Sequence, residues 1–194
     1  NRAETVDGIE KTIALNLVAP YLLSVLLVDH LAKSNAARII ITSSAAYTMM
    51  AKPDLKDIEL KENYTSNKAY GNAKLYLMIM ALELNRKLKA QGLNIAVNTL
   101  HPGLVLNDKM TKFATDKGFF GKAILLPLMK LVMKTPAQGA ETAIYLASSS
   151  AVEGKTGRYY SNSKEVKINE KDMSQEATKA VWDYCEQITG TPLN

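Results

Sequence analysis

Cysteine is nearly absent from this chain, with Cys185 the only one. One thiol closes no internal disulfide, and no histidine or second cysteine stands near it to share a metal, so a reducing, cytoplasmic setting is expected. Histidine is almost as scarce. His30 and His101 lie far apart in sequence, outside any metal-like cluster. Lysine and arginine number 24 against 19 acidic residues, for a net charge of +5. No run of five or six basic residues gathers them, which argues against a nucleic-acid tract and for a solvated surface. The longest apolar run, residues 13–28, is interrupted by Asn16, Pro20 and Ser24. It suits a buried helix better than a bilayer span. A glycine-rich G-x-x-x-G-x-G turn, the kind that cradles a dinucleotide pyrophosphate on a helix N-terminus, is missing. GFFGK and EGKTG come nearest to phosphate motifs. EGKTG precedes a strand pattern, and Ser149 stands where the first P-loop glycine belongs, so neither qualifies.

What is present is an ordinary globular composition, 47% hydrophobic and 22% charged, enough for one domain over residues 1–194 with a real core. Residues 4–34 predict a long helix with an acidic first turn, apolar nearly all round and therefore buried. Residues 37–43 read as a strand whose consecutive apolar residues suggest cover on both faces. Ser66 is the expected cap of a helix running to about Ala90, striped by Ala69, Ala73, Leu77, Leu84 and Leu88 and ended by Gly92. Residues 93–100 predict a second buried strand, leading into His101-Pro102-Gly103. Residues 107–134 read as irregular. A third helix is expected over 136–148, a short strand at 157–160 and a last helix over 173–188. This alternation predicts an α/β fold with a parallel sheet. There is no internal repeat and no linker.

Tyr-x-x-x-Lys occurs three times, as Tyr64/Lys68, Tyr70/Lys74 and Tyr160/Lys164. Side chains four apart meet only on a helix. Tyr160 to Lys164 crosses a turn pattern, and Tyr64 precedes the helix cap. Only Tyr70 and Lys74 fall inside the stripe, where small Gly71 and Ala73 leave room for something to approach. Spacing alone leaves an ordinary exposed helix pair equally open.

In order along the chain stand T-x-D-G-x-E-K-T-x-x-x-N, I-I-x-x-S-S-A-A, A-Y-x-x-x-K and N-x-x-H-P-G. Together they resemble the short-chain dehydrogenase/reductase family, with the retinol-dehydrogenase-like branch nearest. The likeness covers almost the whole chain. It implies the C-terminal part of a doubly wound, Rossmann-like sheet, with the N-terminal βαβ units absent. It also implies an NAD- or NADP-dependent oxidoreductase moving a hydride between nicotinamide and a carbonyl or alcohol, and it favours Tyr70 with Lys74 among the three pairs.

The chemistry needs a proton donor and acceptor at the substrate oxygen. A free tyrosine, with a pKa near ~10, is a poor base at neutral pH. A cation about 4 Å away favours the phenolate by roughly 4 kcal/mol at an effective dielectric near 20, and Lys74 is expected to supply that field. The resemblance assigns Lys74 a second role, holding the nicotinamide ribose, and places the working hydroxyl on Ser44 rather than Ser43. It gives Asn16 a backbone carbonyl that holds a water of the proton relay. Pro20, four residues later, has no N–H to bond that carbonyl, so it either frees the carbonyl or merely kinks the helix. Pro102 and Gly103 resemble the turn beside the nicotinamide. Asn107 stands where a carboxamide-binding threonine is usual.

Residues 118–134 sit where the family places a substrate lid. They read equally as a lipophilic pocket wall, as a membrane-surface contact flanked by lysines, or as a core helix under a loop. A small lipophilic carbonyl or alcohol is the expected substrate, and a homodimer paired through the two long helices the expected assembly. The sequence starts at Asn1 already in helical pattern, which reads as the remainder of a longer protein. A second reading, a non-catalytic binding or assembly module on a relic scaffold, stays open. The first strand is expected to be an uncovered sheet edge.

Overall fold

A computed structural model describes residues 1–193. Its sheet is built from β1 (Ala37–Thr42), β2 (Ile95–Leu100), β3 (Tyr159–Ser161) and β4 (Lys164–Val166), in the order β1-β2-β3-β4. The first three run parallel, and β4 returns antiparallel to β3. Asn162 and Ser163 make that tight return, both at positive φ. Tyr160 and Lys164 therefore sit on opposite strands of a hairpin. The β1–β2 register runs from Ala37 opposite Ile95 to Thr42 opposite Leu100, so Ser43–Ser44 and His101–Gly103 leave the sheet at the same end.

β1 lies at the sheet edge. Its burial alternates: Ala37, Ile39 and Ile41 are buried, while Arg38 and Ile40 are only half covered. The consecutive apolar residues had suggested equal cover on both faces. In fact the helices are unequally shared. One face carries most of the core, with Leu17, Tyr21, Leu77, Leu84, Val181 and Trp182 among its members. The other carries a small cluster of Leu100, Leu146, Val152 and Tyr160.

Helix α1 spans residues 11–26 and does not begin at residue 4. The acidic ETVDGIE stretch makes a turn instead, closed by a Glu4–Glu10 bridge with Gly8 at φ 78°. The Glu10 carboxylate then accepts the Ile13 N–H at 2.8 Å and caps the helix. Within α1, Lys11–Ile13 leads into a π-helical segment, Ala14–Val18, before α geometry resumes over Ala19–Leu26. The helix is not buried all round, because Leu15, Leu23 and Leu26 are exposed.

After the short helix α2 (Ala46–Met49), α3 spans Ser66–Ala90. Thr65, one residue before the expected Ser66, is its cap and accepts the Lys68 N–H. Residues 71–81 of α3 are buried without interruption. The stretch expected to be irregular is helical: α4 covers Asp108–Thr115, and α5 covers residues 118–132 in pieces, Gly118–Phe120, a π segment Gly121–Leu125, and Leu126–Val132. α6 (Pro136–Ser148) opens with a Thr135/Gln138 capping box, two orphan N–H groups satisfied at once. α7 (Gln175–Thr189) starts at a Ser174 cap and ends at left-handed Gly190.

α7 packs against α3, and it also reaches α1. Trp182 stands edge-on to Tyr21 at 5.1 Å, the Lys87 ammonium lies 4.9 Å over the Trp182 ring, and the Tyr21 hydroxyl donates to the Thr191 carbonyl at 2.9 Å. Cys185 is buried in this contact, its thiol pushed up to about 12 by burial, an inert core residue.

Candidate active site

Three devices fix α3 against the end of β1. Asn72 is fully buried, and its amide clamps the backbone of Lys52 from both sides, accepting its N–H at 2.7 Å and donating to its carbonyl at 3.0 Å. Gly71 touches the same loop. A Cβ there would stand 2.5 Å from the Met50 carbonyl carbon. The room left by Gly71 is thus filled by the chain's own backbone, not by a ligand. The third device is Lys74, whose ammonium donates to the Thr42 carbonyl at 3.2 Å.

Tyr70 and Lys74 share one face of α3, with the Lys74 Nζ 5.8 Å from the centre of the Tyr70 ring. Tyr70 is 38% exposed, and its hydroxyl has no hydrogen-bond partner among the described residues. Lys74 is largely buried, and desolvation holds its pKa below the ordinary lysine value. The competing pairs are differently engaged. The Tyr64 hydroxyl reaches the Glu10 carboxylate at 3.4 Å ahead of the helix, and Tyr160 is buried under α6.

The two serines part company at the strand end. Ser43 is buried; its N–H bonds the Leu100 carbonyl at 2.7 Å and its hydroxyl points to the Lys74 carbonyl at 3.4 Å. Ser44 is half exposed. Its oxygen accepts the Ala46 N–H at 3.2 Å, which leaves its own proton to donate elsewhere.

Asn16 lies within the π segment of α1. Its side-chain amide donates back to the Thr12 carbonyl at 2.9 Å, which takes one of its two N–H protons. Asn16 and Lys74 line one groove of about 510 Å³ between α1 and β1, with Pro20, Leu23, Thr42 and Leu77.

On the other side, Gly103 adopts φ 84°, a conformation reserved largely for glycine, and a Cβ there would meet the Lys134 stem at 3.2 Å. Lys134 donates to Asn162 at 2.5 Å. His101 accepts the Gly103 N–H through Nδ1, and burial, helped by Lys134, holds its pKa down. Asn107 caps α4, its oxygen accepting the Met110 N–H at 2.9 Å, so only its NH₂ is left for a ligand. No cluster among the described residues suits a metal ion.

The structure thus gathers Ser44, Tyr70, Lys74 and the Pro102–Gly103 turn around the same end of the sheet, with Asn16 and Lys74 lining one groove. Sequence reasoning passed over Asn72 and Lys134. A polar residue amid the apolar stripe of α3 was a signal for the first. Nothing local signalled the second.

The model of the family described as short chain dehydrogenase matches residues 1–118. The chain belongs to the short chain dehydrogenase family. All the candidate residues above, Asn16 through Asn107, fall within that matched stretch. Human retinol dehydrogenase 14 is 34% identical over 191 residues, covering 96% of this chain and 54% of that protein. The chain spans about half the length of the curated relatives it matches. An uncharacterized protein of Mycobacterium paratuberculosis superimposes over 100% of this chain and 64% of its own, with a TM-score of 0.69 at 24% identity. L-sorbose reductase from Gluconobacter frateurii, solved with NADPH and L-sorbose, gives a TM-score of 0.59 at 21% identity, covering 82% of this chain and 62% of its own. At these identities the two structures speak to the fold alone, a Rossmann-like sheet.

Proposed function

We propose that the protein containing this chain is a nicotinamide-dependent oxidoreductase that interconverts a lipophilic alcohol and its carbonyl, with Tyr70 as the acid and base. The observation that carries it is the placement of Tyr70 beside a buried Lys74 that is pinned to the last residue of β1, two residues before Ser44. The relative named for retinol supports a lipophilic substrate, and the NADPH of the sorbose reductase supports the cofactor class. NAD and NADP fit equally.

The residues present fit the nicotinamide end of such a cofactor. The Gly103 backbone admits close approach of a flat ring, and the Lys74 ammonium has two protons beyond the one given to Thr42 for ribose hydroxyls. Asn107 retains an NH₂ donor for a carboxamide. When bound, the cofactor supplies or takes the hydride.

In reduction, the substrate oxygen takes hydrogen bonds from the Tyr70 and Ser44 hydroxyls. As negative charge builds there, the phenol proton passes to it. The Lys74 cation lowers the cost of the phenolate left behind. Tyr70 regains its proton through Lys74 and a water held by the Asn16 carbonyl, to which Pro20 has no N–H to offer. Oxidation runs the same path backwards.

In the full-length protein, Tyr70→Phe is expected to lower kcat for carbonyl reduction by about 10²–10⁴-fold, with Tyr64→Phe and Tyr160→Phe near wild type. Steady-state assays decide it. Equal effects of the three substitutions would remove Tyr70 from its role.

A further inference from the structure

The outward face of α5 is apolar. Phe119 is 88% exposed, Leu131 82%, Val132 68%, Phe120 61%, and Ile124 and Leu128 each 55%. The inward side is made by Leu125, Leu126 and Met129, half buried, and buried Met133. Single exposed apolar residues are ordinary, but a whole helical face of them is not. Between Asp116 and Glu141 no acidic residue occurs, while Lys117, Lys122, Lys130 and Lys134 do.

We propose that α5 docks on an anionic lipid surface, its apolar face entering the headgroup region and Lys122 and Lys130 facing lipid phosphates. The charge pattern selects this occupant. A second copy meeting the same face would bring lysines against lysines with no carboxylate in the segment to answer them. An anionic bilayer offers the opposite sign and an apolar layer beneath it. Among the described residues no helix is long and apolar enough to cross a membrane, so α5 lies on the surface. The chain just past its end is tied to the site. The Lys134 N–H bonds the Leu104 carbonyl and the Leu106 N–H bonds the Lys134 carbonyl, both at 2.9 Å, directly after Gly103. Docking therefore turns the mouth of the site toward lipid. If the reading of Tyr70 as acid and base holds, a lipophilic substrate would then enter without crossing water.

The test is co-sedimentation of the full-length protein with vesicles of phosphatidylcholine alone or mixed with phosphatidylglycerol. Binding to the mixed vesicles is expected, weakened more than about tenfold by Phe119→Ser/Leu131→Glu and by Lys122→Glu/Lys130→Glu. Thermal midpoints of both variants should match wild type, since all four side chains are outside the core. Variants that bind as tightly as wild type, or wild type that binds neither vesicle, overturn the proposal. So does a concentration-dependent dimer that Phe119→Ser/Leu131→Glu abolishes in the absence of lipid. Tyr70→Phe should sediment like wild type, which separates this proposal from the acid-base reading.

Discussion

The Lys74 ammonium is held away from water between α3 and the end of β1, and desolvation pulls its pKa below the 10.5 of an ordinary lysine. The unfolded chain therefore binds more protons than the folded one between that lowered value and 10.5, and stability rises with pH across this window. Below the folded pKa the penalty is fully present. Lys74→Met should remove it, making the variant's stability advantage over wild type largest near neutrality and shrinking toward about pH 10. Urea midpoints measured in parallel would show this, and a flat difference would contradict it. That Tyr70, unlike Tyr64 and Tyr160, shares a helical face with its lysine was legible at this scale. Gly71 and Asn72 were not. Both are explained by backbone about twenty residues upstream, at Met50–Lys52, and no local pattern reveals that neighbour.

Helix α1 changes winding at the point where the proposed relay needs a carbonyl. The π segment holds Asn16, and Pro20 sits in the first turn of the α geometry that follows. Restoring an N–H with Pro20→Ala lets residue 20 bond the Asn16 carbonyl and tighten the segment to α. Turnover should fall by roughly ten- to a hundredfold while the circular dichroism spectrum stays unchanged. Turnover equal to wild type would leave Pro20 a plain helix feature. Strand and helix periods of β1, β2, α3, α6 and α7 were readable because each turns an apolar face inward. α5 escaped because its apolar residues point outward, so its pattern lacks the polar face that marks a surface helix. The start of α1 escaped because Glu10 serves as a cap, a role that an acidic first turn imitates in sequence.

Taken as a whole, the fold has one well-covered sheet face and one incomplete flank. The outer edge of β1 is unpaired among the described residues, and beside it runs the groove shared by α1 and Lys74, bordered by exposed Leu15 and Leu23. Such an edge is a template for another strand. A polypeptide limited to residues 1–194 should therefore self-associate with rising concentration, and sedimentation velocity would show a single small species if this is wrong. The sequence legibly gave away the parallel order of strands and this exposed edge. The closure by α7 was hidden, since Trp182 and Tyr21 meet across most of the chain.

That closure has a consequence for biosynthesis. α7 leaves the ribosome after both helices it covers, so Tyr21 and the flank of α3 wait uncovered while the nascent polypeptide grows. Chaperone contact with the newborn protein should concentrate on that flank and end when Trp182 arrives.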